Sequence, residues 1–399
     1  MQYREADFVT IGQRENNSKR SYLVVNRLQG KHIPVEPAKA FAMFSDLANL
    51  LKDDYKKEKL LVIGFAETAT AIGSAVAVAL DAFYIQTTRE DIPGADYLFF
   101  SEEHSHATQQ KLVRQDLDRM IGGVDRIVFV EDEVTTGKTI LNSISVIQKR
   151  YGTKVPFAVA SILNGMDQTA RDVYKSRGID LHFLVKSDYH GYEKTARQYQ
   201  EAGQPLSLGR YIPCNTESVE ITDLIAGTTQ METADETARQ GNRKKRIPEL
   251  KIGGRMDARR LLSARAYEQA CRDFWHALRD RLGGFLPHRI LVLGTEEFMY
   301  PAMYVAARMA ENGADVRFHA TTRSPVLVYG DARYPLHERY ELLSLYDQGR
   351  RTFLYNLDTY EMVLLITDAQ NQENEGIASL VHAVSVKNNH MALIRWCDG

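Results

Sequence analysis

The 399-residue sequence has little cysteine, almost no net charge and no long apolar run, and each absence excludes a class of protein. Its three cysteines, Cys214, Cys271 and Cys397, lie far apart, which argues against both a metal site and a disulfide framework. Fifty basic and 52 acidic residues give a net charge of −2, so no global basic field favours nucleic acid or membrane. No apolar run approaches the roughly 18 residues of a membrane span, and the N-terminus lacks a signal-peptide core. These features predict a cytoplasmic protein.

The composition that is present, 44% hydrophobic and 26% charged, is typical of a folded protein. At about 150 residues per domain, the length predicts two or three domains. We expect a first domain over residues 1–214, a polar linker over 215–260 and a second domain over 261–399.

Short β-rich runs alternate with stretches of helical length in the first half of the chain. The predicted strands cover 60–64, 82–87, 126–131, 156–163 and 180–185. The predicted helices cover 37–52, 68–80 and 139–150. Strand, helix and strand in this order predict an α/β fold, a doubly wound and mainly parallel sheet with helices on both faces.

Residues 215–240 are rich in Thr, Glu and Ala with little apolar periodicity, and a basic run, Gly241–Arg246, follows them. This composition predicts a solvated linker. The basic run could contact an acidic partner, but one short run supplies few of the phosphate contacts that nucleic-acid binding needs.

A second α/β pattern begins at residue 261. The predicted helices cover 261–282, 296–312, a stretch near 337–346, and a short segment after 368. The predicted strands cover 289–294, 315–320, 362–367 and 390–396.

The two halves resemble each other in three places. A Gly follows the first core strand in both, at Gly64 and Gly294. The next strand ends in Thr-Thr-Arg in both, at 87–89 and 321–323, and a later apolar strand ends in Asp132 or Asp368. Generic strand-to-helix turns could give one such match, but three in the same order favour a duplicated scaffold.

The stretch Val128–Thr139, VFVEDEVTTGKT, carries the most chemical information. An apolar strand runs through a Thr-rich turn into a helix, whose first backbone N–H groups and dipole attract an anion. Gly137 permits a close approach of the backbone. Hydroxyl donors are supplied by Thr135, Thr136 and Thr139. We therefore expect a pocket for one phosphate group.

Two carboxylates precede this turn, Glu131 and Asp132, and as pure acceptors they suit a vicinal diol. A phosphate pocket beside two such carboxylates is the arrangement expected for binding a 5-phosphoribosyl group.

The end of the stretch also resembles a Walker A loop, but that loop requires Gly five residues before Gly137, where Asp132 stands. A nucleotide-triphosphatase is therefore disfavoured.

VFVEDEVTTGKT resembles the 5-phosphoribosyl 1-pyrophosphate (PRPP) signature of the type I phosphoribosyltransferases. The resemblance implies their fold and a glycosyltransferase of the pentosyltransferase class, which displaces pyrophosphate from PRPP with a nitrogen nucleophile. It implies that Glu131 and Asp132 hold the ribose hydroxyls and, indirectly, the Mg²⁺ cofactor that accompanies PRPP. It assigns the 5-phosphate to Val134, Thr135, Thr136, Gly137, Lys138 and Thr139.

The same family places a pyrophosphate loop after the first core strand, where Ala66, Glu67 and Thr68 stand; the alternative is that Thr68 only caps a helix. A basic residue is expected at the end of the next strand, which is Arg89. A lid is expected over 93–110. The lid contains four titratable residues, Glu102, Glu103, His104 and His106. They could bind a metal or act as acid or base, or they could simply belong to a solvent-facing polar loop.

Thr135 stands where purine-salvage members carry an Asp that acts on the purine. A hypoxanthine or guanine acceptor is therefore disfavoured, and the nitrogenous acceptor stays unidentified. An alternative function is a PRPP- or nucleotide-sensing regulator that binds without transfer. The predicted partners are small-molecule substrates, PRPP and the acceptor. Binding to a membrane is not expected, and the chain could form a homodimer.

The segments Arg14–Arg20, Gly30–Pro34 and Thr322–Pro325 (Thr-Arg-Ser-Pro) resemble a bacterial subgroup with a C-terminal TRSP domain. That subgroup is linked to tellurium resistance and stress, and the resemblance implies that the protein makes a ribosylated metabolite, a function in nucleotide metabolism. Cationic residues near the start form either a hood over the substrate or a charged surface loop: Arg14, Lys19, Arg20, Lys31 and His32.

The second half departs from the PRPP motif. After Asp368 it has no Gly at the tight turn, and Glu373 and Glu375 bring negative charge where a phosphate would lie. We expect that this half does not bind PRPP in the manner of the first. Arg323 is its candidate anion contact.

Overall fold

The computed structural model describes residues 3–16, 20–100, 110–202, 206, 216–220, 245–283, 287–371 and 375–399. Its helices are α1 (Glu5–Phe8), α2 (Pro37–Lys52), α3 (Thr70–Ala79), α4 (Arg114–Met120), α5 (Lys138–Tyr151), α6 (Gln168–Ser176), α7 (Tyr192–Ala202), α8 (Ala264–Arg281), α9 (Tyr300–Glu311) and α10 (Glu375–Ser385). Its strands are β1 (Val9–Gln13), β2 (Tyr22–Asn26), β3 (Leu60–Gly64), β4 (Phe83–Gln86), β5 (Tyr97–Phe100), β6 (Gln110–Val113), β7 (Arg126–Val134), β8 (Phe157–Asn164), β9 (Asp180–Lys186), β10 (Thr216–Glu220), β11 (Lys245–Ile252), β12 (Leu262–Ser263), β13 (Arg289–Gly294), β14 (Asp315–Ala320), β15 (Arg339–Leu343), β16 (Arg351–Tyr355), β17 (Met362–Thr367) and β18 (Met391–Trp396).

The chain divides into two compact units. The first unit contains residues 1–11, 38–196 and 256–269, and the second contains 12–37, 197–255 and 270–399. These limits differ from the single boundaries expected from the sequence. A segment from the N-terminal half belongs to the second unit, and a segment from the C-terminal half belongs to the first.

The first unit is built on a six-stranded sheet of order β12-β4-β3-β7-β8-β9. All its pairs are parallel except that of the short edge strand β12 with β4. Strands β3 and β8 are buried along their whole length because helices cover both faces of a parallel sheet. The predicted α/β fold with a mainly parallel sheet is confirmed.

The second unit is built on a six-stranded, fully parallel sheet of order β10-β11-β18-β17-β13-β14. The predicted linker is wrong over Lys245–Ile252, which is β11 and pairs with β18. Its Glu249 accepts a hydrogen bond from buried Arg395 at 2.6 Å, so a charged residue lies inside the sheet. Gly241–Lys244 of the basic run lies outside the described residues.

The helix expected near 337–346 is also wrong. This stretch contains β15, which pairs antiparallel with β16. Its side chains alternate: Tyr340 and Leu342 pack on the core, while Glu341 accepts from Arg351 on the neighbouring strand at 2.7 Å. A period of two over five residues was hidden by the helix-forming Glu and Leu in the stretch.

The two units repeat one arrangement. Strands β4-β3-β7-β8 of the first unit have the same order and direction as β14-β13-β17-β18 of the second. Each unit also inserts an antiparallel hairpin before the third of these strands, β5–β6 or β15–β16. The second α/β unit predicted to be related to the first is therefore present.

Among the described residues, no helix combines the length and apolarity that crossing a membrane requires.

Candidate active site

The loop between β7 and α5 is shaped around Gly137. This residue has φ +74° and immediately precedes α5. A Cβ at this position would lie 2.6 Å from the hydroxyl of Tyr174, so glycine is required for space as well as for conformation. The 14-residue helix α5 begins at Lys138, and its first turn presents backbone N–H groups at the loop.

Tyr174 on α6 holds this loop from behind. Its hydroxyl donates a hydrogen bond to the carbonyl oxygen of Gly137 at 2.6 Å. The side chain is fully buried, and burial raises the pKa of its hydroxyl well above the usual range, so it stays a donor. Tyr174 thereby fixes the backbone that would face a phosphate.

Strand β7 continues to Val134, beyond its predicted end at Glu131. Glu131 and Asp132 therefore lie within the strand, near its carboxyl end. Asp132 Oδ1 accepts a hydrogen bond from Thr68 Oγ1 at 2.8 Å. The structure thus brings together one predicted ribose-binding acid and the predicted pyrophosphate loop.

The pyrophosphate loop follows β3, and α3 begins only at Thr70 with Ala69 as its N-cap. The alternative in which Thr68 caps that helix is wrong, because its hydroxyl donates to Asp132. The Ala66–Glu67 peptide bond is cis.

The backbone of Ala66 is held on both sides. Its N–H donates to Thr87 Oγ1 at 2.8 Å, and its carbonyl oxygen accepts from Gln110 Nε2 at 2.7 Å. Thr87 Oγ1 also donates to Gln110 Oε1. The loop is thus anchored to the end of β4 and to the start of β6.

Arg89 is partly buried and follows Thr87 and Thr88 in the chain. Thr88 forms an isolated antiparallel β-bridge with Lys111. The predicted lid begins with β5 and ends at β6, which form an antiparallel hairpin. Residues 101–109 lie outside the described residues, and with them Glu102, Glu103, His104 and His106. Their roles stay predictions.

The cationic residues predicted as a hood or a surface loop fall in the second unit, apart from Lys19, which lies outside the described residues. Lys31 is fully buried, and its Nζ donates to the carbonyl oxygen of Glu296 at 2.6 Å. His32 is buried as well. Both predictions are therefore wrong for Lys31 and His32, which are core residues.

The second unit places a carboxylate at its corresponding loop. Glu296 is fully buried and follows β13 by two residues, as Ala66 follows β3. Its carboxylate oxygens accept hydrogen bonds from four groups: Arg323 Nε at 3.0 Å, Arg350 Nη2 at 2.9 Å, Ser344 Oγ at 2.6 Å and Leu345 N at 3.3 Å. Arg323 also donates to Glu297 at 3.0 Å.

The counterpart of Asp132 is similarly enclosed. Asp368 accepts from the hydroxyl of Tyr346 at 2.7 Å and from Arg255 at 3.1 Å. Tyr346 also contacts Thr295 at 2.7 Å. Burial, reinforced by the negative charge of Asp368, raises the pKa of Tyr346 well above its usual range.

Residues 8–187 match the family model described as "Phosphoribosyl transferase", and residues 253–384 match "TRSP domain C terminus to PRTase_2". Each of the two models covers less than half of the chain. The two matched regions lie mostly in the first and second units respectively. No curated protein matches the sequence.

Solved structures similar to this chain include three phosphoribosyltransferases. Adenine phosphoribosyltransferase from Rhodothermus marinus is 14% identical, with 46% of this chain and 96% of that chain covered and a TM-score of 0.33. Orotate phosphoribosyltransferase from Aeropyrum pernix is 16% identical, with coverage of 50% and 96% and a TM-score of 0.30. The APRTase (adenine phosphoribosyltransferase) from Giardia lamblia, complexed with 9-deazaadenine, is 14% identical, with 46% of this chain and 95% of that chain covered and a TM-score of 0.32.

The two carboxylates at the end of β7 are candidate ligands for a metal ion. Glu131 and Asp132 offer the hard oxygen donors that Mg²⁺ prefers. Over the described part of the chain, no cluster of three or more Asp, Glu, His or Cys side chains forms a complete metal cage. Such a donor set fits an ion held mainly by water and substrate phosphates.

Sequence reasoning missed several residues that shape the two loops. Gln110 and Tyr174 position the loops of the first unit, while Ser344, Arg350 and Tyr346 enclose that of the second. All five are distant in sequence from the motif they serve.

Proposed function

We propose that the first unit transfers a 5-phosphoribosyl group from PRPP to a nitrogenous acceptor and releases pyrophosphate. The observation that carries this proposal is the joining of two loops: Thr68 of the loop after β3 donates to Asp132, directly before the loop that leads into α5. A phosphate-binding helix start and a second anion loop then flank one carboxylate. That arrangement suits a ribose bearing phosphate groups at both ends.

The 5-phosphate is assigned to the loop from Val134 to Thr139. The backbone N–H groups at the start of α5 and the short hydroxyls of its threonines are suitable donors. Gly137 lets the backbone approach, and Tyr174 keeps it in place. Lys138 is exposed, so its contribution is assigned to its backbone N–H.

The ribose hydroxyls are assigned to Glu131 and Asp132. An ionised carboxylate accepts at about four positions, so the hydrogen bond from Thr68 leaves Asp132 with acceptor capacity. The pyrophosphate is assigned to the backbone of Glu67 and Thr68 and to Arg89. Because the N–H of Ala66 already donates to Thr87, Ala66 serves to hold this loop.

In the proposed reaction, the acceptor nitrogen forms a bond to carbon 1 of the ribose while the bond from carbon 1 to pyrophosphate breaks. The electron pair leaves on pyrophosphate, and the acceptor nitrogen loses a proton. Arg89 stabilises the charge that develops on the leaving group, as a bidentate donor to its oxygens. Glu131 and Asp132 hold the ribose and face the positive charge developing on its ring. Mg²⁺ bound with PRPP would neutralise part of the pyrophosphate charge.

The test is calorimetry of the full chain with PRPP and Mg²⁺, followed by measurement of pyrophosphate release with a panel of nitrogenous bases. We expect binding in the absence of acceptor and release with at least one base. No binding at millimolar PRPP would contradict the whole proposal. Binding without release by any acceptor would instead favour a PRPP sensor. The tellurium-resistance setting stays a prediction of the resemblance, and the cytoplasmic location stays a prediction of the composition.

A further inference from the structure

The two loops that follow β3 and β13 occupy equivalent positions. In each unit the first Thr of Thr-Thr-Arg donates its N–H to the Gly that ends the core strand, at 2.9 Å for Gly64 and 3.1 Å for Gly294. The hydroxyl of that Thr accepts from the second residue beyond the Gly, Ala66 at 2.8 Å or Glu296 at 3.0 Å. Glu296 is therefore the structural counterpart of Ala66.

The donors around the second loop also have a counterpart. Arg323 occupies the place of Arg89 in the repeated tripeptide, and the following turn is built alike, since Thr88 Oγ1 accepts from the N–H of Glu90 and Thr322 Oγ1 from that of Ser324. In the second unit this arginine donates to the carboxylate of Glu296.

The hairpin of the second unit adds further donors. Its turn contributes the guanidinium of Arg350 and the hydroxyl of Ser344 to the same carboxylate. Two arginines, a hydroxyl and a backbone N–H around one planar oxyanion form the type of donor set that binds a phosphate oxygen or a carboxylate. The set is almost completely buried, with 12% of the Arg323 side chain and 16% of the Arg350 side chain exposed.

We propose that the second unit retains an oxyanion site and that the ligand in it is the chain's own Glu296 carboxylate. Replacing the alanine methyl of the first unit with a glutamate side chain puts a permanent anion where a free one would bind. The ligand class that the site takes when this side chain is shortened is a phosphate or pyrophosphate anion. This inference concerns the second unit and stands apart from the reaction proposed for the first.

The experiment is thermal unfolding of the full-length Glu296→Ala variant, titrated with inorganic pyrophosphate or phosphate. Without anion we expect a lower Tm than in the wild type, because two nearly buried arginines each lose one carboxylate partner, leaving Glu297 for Arg323 and Asp347 for Arg350. At ten times Kd, pyrophosphate should raise the variant's Tm by about 3 °C more than it raises the wild-type Tm. Equal Tm values without anion and an equal response would overturn the proposal.

Two matched variants isolate the site from anion binding in the first unit. Glu296→Gln keeps the side chain in place, so its response to pyrophosphate should equal that of the wild type. Glu296→Ala combined with Arg350→Gln removes a donor, so the extra response should disappear. An extra response in Glu296→Gln, or one unchanged by Arg350→Gln, would contradict the assignment.

A further measurement covers the case in which Glu296→Ala does not fold in plain buffer. Refolding in pyrophosphate should then recover more soluble protein than refolding in chloride of the same ionic strength. Equal recovery in the two salts would overturn the proposal.

Discussion

The two units have the same four-strand order but fill the ends of their strands differently. The first unit places small residues there, with Ala66 after β3 and Gly137 before α5. The second places Glu296 and Tyr346 at the corresponding end of its sheet, each hydrogen-bonded to groups of the same unit. The difference shows that the same strand order can carry either a small residue or a buried, hydrogen-bonded carboxylate after its first core strand.

The enclosed site of the second unit also has an energetic logic. Breaking a buried ion pair destabilises a protein by about 3–5 kcal/mol, so Arg323 and Arg350 would be costly without Glu296, even though Arg323 also contacts Glu297 and Arg350 also contacts Asp347. A glutamate at 296 supplies the missing charge and accepts from both. The same side chains that would bind an anion thus contribute to the stability of the second unit.

The largest expected effect comes from removing one strand-end carboxylate in each unit. Asp132→Ala should abolish PRPP binding while the fold survives, because the ribose hydroxyls lose a charged acceptor and Thr68 can turn to water. Asp368→Ala is the matched control and should leave the Kd for PRPP unchanged, although the variant is less stable. Calorimetry of both variants decides, and an unchanged Kd for Asp132→Ala would contradict the diol assignment.

The second prediction transfers the glutamate of the second unit into the first. Ala66→Glu places a carboxylate beside Arg89 and should weaken pyrophosphate binding on the order of 100-fold, since a bound anion must displace it. Ala66→Ser is the control with a small polar side chain and should weaken binding far less. Product inhibition by pyrophosphate gives the affinity, and equal inhibition constants for Ala66→Glu and wild type would break the equivalence of the two loops.

A third difference lies one residue before the end of β4 in the first unit and of β14 in the second. At this position Ile85 of β4 pairs with Ile63 of β3, whereas His319 of β14 pairs with Leu293 of β13. Burial lowers the pKa of His319 from about 6.5 to about 4, against the opposing effect of its hydrogen bonds to Tyr355 and Gly30.

Because the folded-state pKa is lower than the unfolded one, this histidine stabilises the fold fully above about pH 6.5. The contribution is lost as the pH falls towards 4, and over that window we expect a loss of about 3 kcal/mol. His319→Ile, which installs the residue of the first unit, should flatten the dependence of unfolding free energy on pH in this window. Denaturant titrations at several pH values measure it, and identical slopes would count against the assignment.

The smallest expected effect concerns the residue behind the phosphate loop. Tyr174→Phe removes one buried hydrogen bond, worth about 1 kcal/mol, and should raise the KM for PRPP about five-fold with little change in kcat. Tyr355→Phe removes a comparable bond to Ser324 in the Thr-Arg-Ser-Pro turn and should lower stability without changing that KM. Steady-state kinetics of the two variants would show whether Tyr174 acts only on stability.

Local patterns predicted most of the scaffold. Apolar runs such as Leu60–Gly64 identified the buried strands, and the turn at Gly137 before a helix was predicted from its sequence. The failures share a physical cause. Strand β11 and the buried side chain of Lys31 depend on partners far along the chain, and composition alone describes both as solvent-exposed. Glu296 was overlooked for the same reason, since a buried carboxylate is recognised by its donors and not by its neighbours in sequence.

The exchange of segments between the units has a consequence for how such a protein is inherited. Residues 12–37 belong to the second unit and 256–269 to the first, so each unit is encoded in separated stretches of the gene. No single crossover can move one unit into another gene intact, and no single truncation removes one cleanly. The shortest continuous stretch that contains either unit whole therefore also contains much of the other unit.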